Sequence, residues 1–128
     1  MYRLNVLTTL NIFRAALPSM RAAGRGSLVA IGAGAAVKAP SGLGAYAGAK
    51  SAVHRLVESF ADELKADRIR VNAILPSIID TPQNRAAMPD ADHTAWVRPR
   101  EIADAIAFLL AEDASGVTGA FIPVSGRG

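Results

Sequence analysis

The stretch "SLVAIGAGAAVKAPSGLGAYAGAKSAVHRLVESFADELKADRIRVNAIL" (27–75) decides the fold. Its ends, "SLVAI" (27–31) and "IRVNAIL" (69–75), are short apolar runs, the first after a Gly-rich turn and the second stopped by Pro76. Such runs read as buried strands. Between them, from about 41 to 66, Val53, Leu56, Val57, Phe60 and Leu64 follow helical spacing. A strand, a helix and a second strand imply parallel pairing through a crossover. Upstream, residues 3–23 read as a helix with Leu7, Leu10, Phe13, Leu17 and Met20 inward, and with Pro18 tightening or kinking its last turn. Downstream, 76–98 reads as a long loop with three prolines. Pro99 then opens a helix to about Glu112, with Ile102, Ala105, Ile106, Leu109 and Leu110 inward, and "GAFIPV" (119–124) is a last strand. The expected fold is α/β: a doubly wound parallel sheet of about three strands with three long helices, all within one domain over 1–128.

Composition agrees. The chain has 128 residues, 51% of them hydrophobic and 20% charged, which suits a globular core. It contains no Cys, so disulfides and thiolate metal sites do not arise. No metal site is expected, and a reducing, cytoplasmic location suits the composition. No apolar run reaches the roughly 18–20 residues that span a bilayer, and no membrane partner is expected. Residues 1–57 carry seven Lys or Arg and no acid, while 58–128 carry seven Lys or Arg and all eleven acids. The basic half lacks a cationic cluster or an aromatic platform, so nucleic acid is not an expected partner.

Ligands of such sheets bind outside the carboxyl ends of the strands. Tyr46 follows the first of those ends and Lys50 stands four residues later, on the same helix face. A free Tyr is a poor acid near neutrality, and a neighbouring ammonium favours its ionised form. A Tyr tuned in this way can give a proton to an atom that receives a hydride. The Lys can also hold ribose hydroxyls. Alone, the Y-x-x-x-K spacing is weak evidence, because many helices carry it by chance.

Around that pair the chain resembles the carboxyl-terminal half of the short-chain dehydrogenase/reductase family. "RLNVLTTLNIF…LPSM" resembles the family helix that carries the tetrad Asn, which falls on Asn5. "YAGAK" matches the tetrad Tyr and Lys, "RVNAILPSIIDTP" resembles the "VN…PG…T" segment, and "VTGAFIPVSG" the closing strand. The resemblance implies a Rossmann-like fold, with Tyr46, Lys50 and Asn5 as catalytic residues. It also implies that NAD or NADP is held by Tyr46, Lys50, Pro76, Ile79 and Thr81, and that a dimer or tetramer forms through helices 3–23 and 41–66.

Two positions depart from the family pattern. The tetrad Ser usually lies thirteen residues before the Tyr, where this chain has Ala33, and Ser77 follows Pro76 in place of Gly. Dihydropteridine reductase, a branch of the family, tolerates that Ala. Its local pattern is similar in "GAGAAVKAPSGLGAY", "KSAVHRL" and "LPSIIDTPQNRAAMPDADHTAW". Ala33, Met88 and Trp96 would then face substrate, the last two as apolar cover from the 76–98 loop. Trp96 as a packed anchor, Asn5 as a helix-bonding residue and Thr81 as a turn residue are the plainer readings. His54 is expected on a half-exposed face with a structural role, and His93 in solvent.

A nicotinamide enzyme of this type also needs a Gly-rich turn opening a helix beneath the pyrophosphate. "GAGAAV" (32–37) and "GLGAYAG" (42–48) have the wrong spacing and no acidic residue about 20 positions on. The chain is therefore expected to be the catalytic half of such a domain, without the adenine-binding half. Besides a pterin-type reductase, a carbonyl or 3-oxoacyl ketoreductase and a non-catalytic binding or oligomerisation module remain open readings.

Overall fold

The computed structural model describes residues 1–128. Three parallel strands, β1 (Gly26–Ile31), β2 (Ile69–Pro76) and β3 (Phe121–Val124), lie in the order β1-β2-β3. Gly26 pairs with Ile69 and Ile31 with Ile74, while Ala73 pairs with Phe121 and Pro76 with Val124. The helices are α1 (Thr8–Ala23), α2 (Gly44–Glu63), the short α3 (Pro82–Ala87) and α4 (Pro99–Leu110).

Strand alternation splits the sheet into two faces. Leu28 and Ala30 of β1 and Ile69, Val71 and Ala73 of β2 pack against Phe13 and Leu17 of α1 and Ala49, Val53, Val57 and Ala61 of α2. Phe13 meets Phe60 edge to face at 5.5 Å. Each fully buried aliphatic side chain of this layer, such as Val57 or Val71, contributes about 1.5–3 kcal/mol. α4 covers the opposite face, with Leu109 fully buried and its carbonyl accepting from Ser27 Oγ at 2.9 Å.

Several boundaries differ from the sequence expectation. A wide π-turn over Arg3–Leu7 precedes α1, closed by Thr8 N–H donating to the Arg3 carbonyl. α1 runs through Pro18 to Ala23 and ends at Gly24 in the left-handed region, which glycine adopts without strain. α2 starts at Gly44 rather than 41, because Gly42 at φ +81° turns the chain before it. Leu7 and Leu110 are exposed rather than inward. Leu7 closes the π-turn, which shifts it off the apolar stripe, and Leu110 is the last residue of α4.

Residues 76–98 are not an unstructured loop. Thr81 caps α3, with Pro82 in its first turn, and Asp92 caps a tight turn at 93–95. The segment closes on itself where Ile79 bridges Val97 in parallel. Val97 N–H donates to the Ile78 carbonyl at 3.0 Å and Asp80 N–H to the Val97 carbonyl at 2.7 Å. Because the strands are parallel, this excursion, the 32–43 segment and the tail after Val124 all leave the same sheet edge.

Candidate functional site

The amino-terminal half of α2 meets that edge. Tyr46 is half-buried, and its hydroxyl is free of hydrogen bonds to the chain, while Ala47 and Ala49, one and three residues further on, are buried. One turn on, half-buried Lys50 donates from Nζ to the Ile31 carbonyl at 2.9 Å, at the end of β1. Burial lowers the Lys50 pKa from its ordinary 10.5. A second turn on, His54 is 3% exposed and its Nε2 accepts from the Ala33 amide at 3.2 Å. α2 therefore grips the backbone on both sides of Gly32. The space between is tight: a Cβ on Gly32 would lie 2.4 Å from His54 Nε2 and 2.7 Å from Leu75 Cδ2.

Ala33 is itself buried at the start of the 33–43 segment. Asn5 sits in the π-turn, which packs on α2. Its side chain turns back to donate to the Met1 carbonyl at 3.0 Å, while its own carbonyl accepts from Thr9 Oγ1 at 2.7 Å. The Asn5 side chain is thus not bonded to Tyr46 or Lys50.

Pro76 closes β2. The Ile79 carbonyl accepts from Asn84 Nδ2 at 2.8 Å, and its amide takes no backbone partner. Thr81 Oγ1 accepts from the Asn84 amide at 3.1 Å, which leaves its hydroxyl hydrogen free to donate. A single residue, Asn84, so shapes the turn that carries Ile79 and Thr81, through its backbone amide and its side chain together.

Met88 and Trp96 do not form one apolar surface. Met88 is 36% exposed at the end of α3, whereas Trp96 is 7% exposed and packs at a tilt against His93 with ring centres 4.5 Å apart. Trp96 is a packed anchor of the excursion. His93 is half-buried and its Nε2 meets the Met88 carbonyl at 2.8 Å, so it links the two residues. A cavity of about 340 Å³ lies beside this cluster, lined by Asp80, Arg85, His93, Thr94, Trp96, Arg98 and Arg127. Its charges are largely matched. Arg85 grips Asp80 through two bonds of 2.6 and 2.9 Å, and Arg127 grips Glu101 at 3.0 and 2.8 Å. These arginines hold both carboxyls below their usual range. The larger cavity, about 800 Å³, opens at the other end of the sheet beside Arg25, Lys65, Arg68 and Arg70, and shares no residue with the Tyr46 cluster.

His54, Asn84 and Arg127 escape the sequence reading as site-shaping residues. His54 carried a signal, since 46, 50 and 54 repeat the same helical interval. Nothing local marks Arg127, whose partners lie 26 to 33 residues away.

In sequence and in fold the chain is similar to known proteins. A family model described as enoyl-(acyl carrier protein) reductase matches residues 1–126. The chain belongs to the short-chain dehydrogenase/reductase family. Dehydrogenase/reductase SDR family member 4 of Oryctolagus cuniculus is 34% identical over 96% of this chain and 51% of its own length. The 3-oxoacyl-(acyl-carrier-protein) reductase FabG of Thermotoga maritima is 31% identical over 95% of this chain and 53% of its own. A solved 7α-hydroxysteroid dehydrogenase, complexed with NADH and 7-oxo glycochenodeoxycholic acid, superposes with a TM-score of 0.84. It is 32% identical and covers 99% of this chain and 53% of that one. The chain spans about half the length of the short-chain dehydrogenases/reductases it matches. No helix is long and apolar enough to cross a membrane.

Proposed function

We propose that this chain carries the proton-donating half of an NAD(P)-dependent oxidoreductase, with Tyr46 as the proton donor. The observation that supports it most is the pairing of an unbonded, half-buried Tyr46 hydroxyl with the Lys50 ammonium one turn away at the carboxyl edge of β1. The donors there fit a nicotinamide nucleotide. Lys50 Nζ suits ribose hydroxyls, while the Thr81 hydroxyl and Ile79 amide, beyond Pro76, suit a carboxamide. That cofactor, when bound, would supply the hydride. Tyr46 would release its hydroxyl proton to the heteroatom of the acceptor, and Lys50 would supply positive charge beside the resulting oxygen anion. Asn5, in the π-turn against α2, would support a water on the route by which Tyr46 regains its proton.

Ala33 puts a buried methyl where the family's Ser hydroxyl would polarise a carbonyl. This favours a conjugated imine-like acceptor such as a quinonoid pterin. The FabG relative supports the other reading, a 3-oxoacyl ketoreductase. The exposed Leu4, Leu7 and Ile12 support self-association through 3–23 and α2. The test is Tyr46→Phe in the whole protein, assayed with quinonoid pterin and with ketones. Turnover falls at least about 100-fold with the true substrate. Unchanged turnover overturns the proton-donor role, and a wild-type protein that binds no nicotinamide nucleotide points to the non-catalytic module.

A further inference from the structure

Three observations converge below Tyr46. The His54 ring is buried, its Nε2 faces a backbone N–H, and it lies against the bare backbone of Gly32 where no Cβ fits. An N–H donor requires a lone pair opposite, so the ring is neutral, with its proton on Nδ1. Phe121 of β3 packs on it with ring centres 5.0 Å apart, and Leu75 of β2 closes the space at Gly32. β2 and β3 thus face it with apolar groups. The charges that act on it, Arg55, Glu58 and Lys50, all belong to α2.

Resting on the functional reading above, we propose that His54 is a positioning residue. Its Nε2 fixes the course of Gly32–Ala33 relative to Tyr46, and protonation of the ring releases that segment. Lys50 holds Ile31 and His54 holds Ala33, so one rigid helix sets both the proton donor and the floor on which the reacting group rests. When Nε2 gains a proton, two N–H groups confront each other across 3.2 Å, the bond is lost and the buried ring becomes a cation. Burial, then Arg55, hold its pKa below the ordinary 6.5, and Lys50 adds to this while Glu58 opposes it, so the neutral acceptor persists through neutrality.

The experiment follows the Ala33 amide and the His54 ring nitrogens by NMR in the whole protein as pH falls, beside kinetics of His54→Gln and His54→Leu. The expected result is a neutral Nδ1–H ring at pH 7 that titrates below 6.5, with the Ala33 amide shifting and losing exchange protection in step. His54→Leu lowers kcat roughly 10- to 100-fold with little change in KM, as a small misplacement does, and Gln, which keeps an acceptor, restores most of it. An Ala33 amide that ignores the ring titration overturns the proposal without need of any variant, as does a fully active His54→Leu. Failure of Tyr46→Phe to slow turnover would overturn only the functional reading, because the NMR coupling does not depend on activity.

Discussion

Lys50 donates its ammonium to the carbonyl of Ile31 at 2.9 Å, which fastens the first turns of α2 to the last residue of β1. The same burial that makes this contact costs the charged form, and its pKa lies below 10.5. Between that native value and 10.5 the unfolded chain binds more protons than the folded one. Stability therefore rises with pH across that window. Denaturant titrations from pH 8 to 10.5 will show this rise in the native protein and its loss in Lys50→Met. An identical slope in both would mean that the ammonium is not desolvated.

Gly32→Ala tests the close approach of α2 to the strand end. The new methyl would press on His54 Nε2 and Leu75 Cδ2, a flat ring and a packed side chain with little room to yield. Overpacking of this kind costs about 1–3 kcal/mol. The loss will be read as a lower denaturant midpoint at unchanged m-value. A neutral substitution would mean that the His54 ring can swing away, and the grip on Ala33 with it.

Asn72 is fully buried in the middle of β2 and holds the segment that leads into β3. Its Nδ2 donates to the Val117 carbonyl and its Oδ1 accepts from the Ala120 amide, both at 2.9 Å. Asn72→Ala leaves the Ala120 amide unpaired and the Val117 carbonyl with only its longer bond from Arg70 at 3.3 Å, and destabilises by roughly 1–3 kcal/mol. Asn72→Asp keeps the acceptor alone and buries a charge, so it is no milder. Urea denaturation of both variants checks this order.

These residues show where the sequence was informative. The βαβ core was legible because period and length are local: Val53, Val57, Val71 and Ala73 lie on the faces that their spacing requires. The Tyr46–Lys50 pair was legible for the same reason, since four residues make one helical turn. The burial of His54 was not legible, because its place one turn after Lys50 gives no sign of a partner amide 21 residues away. The 76–98 segment read as a loop because α3 has only six residues, too few for periodicity to register, though Thr81-Pro82 is an ordinary helix start.

Arg127 decides how firmly that segment is held. Its guanidinium donates to the Thr94 carbonyl at 3.2 Å and the Trp96 carbonyl at 2.6 Å while gripping Glu101 of α4. Its own amide donates to the Ala95 carbonyl at 2.9 Å. Three consecutive carbonyls of the excursion thus end on one residue of the tail. Gly126 permits this approach, since a Cβ there would lie 2.8 Å from the Ala95 carbonyl. Arg127→Met removes the guanidinium bonds and keeps the backbone one, so the 93–97 turn loosens without unfolding. Hydrogen exchange at Trp96 and Val97 will quicken while β1 and β2 stay protected. Arg127→Lys will not rescue it, because an ammonium cannot reach two carbonyls and a carboxylate as a planar fork does. Exchange that quickens equally in β2 would mean that the tail supports the sheet rather than the excursion.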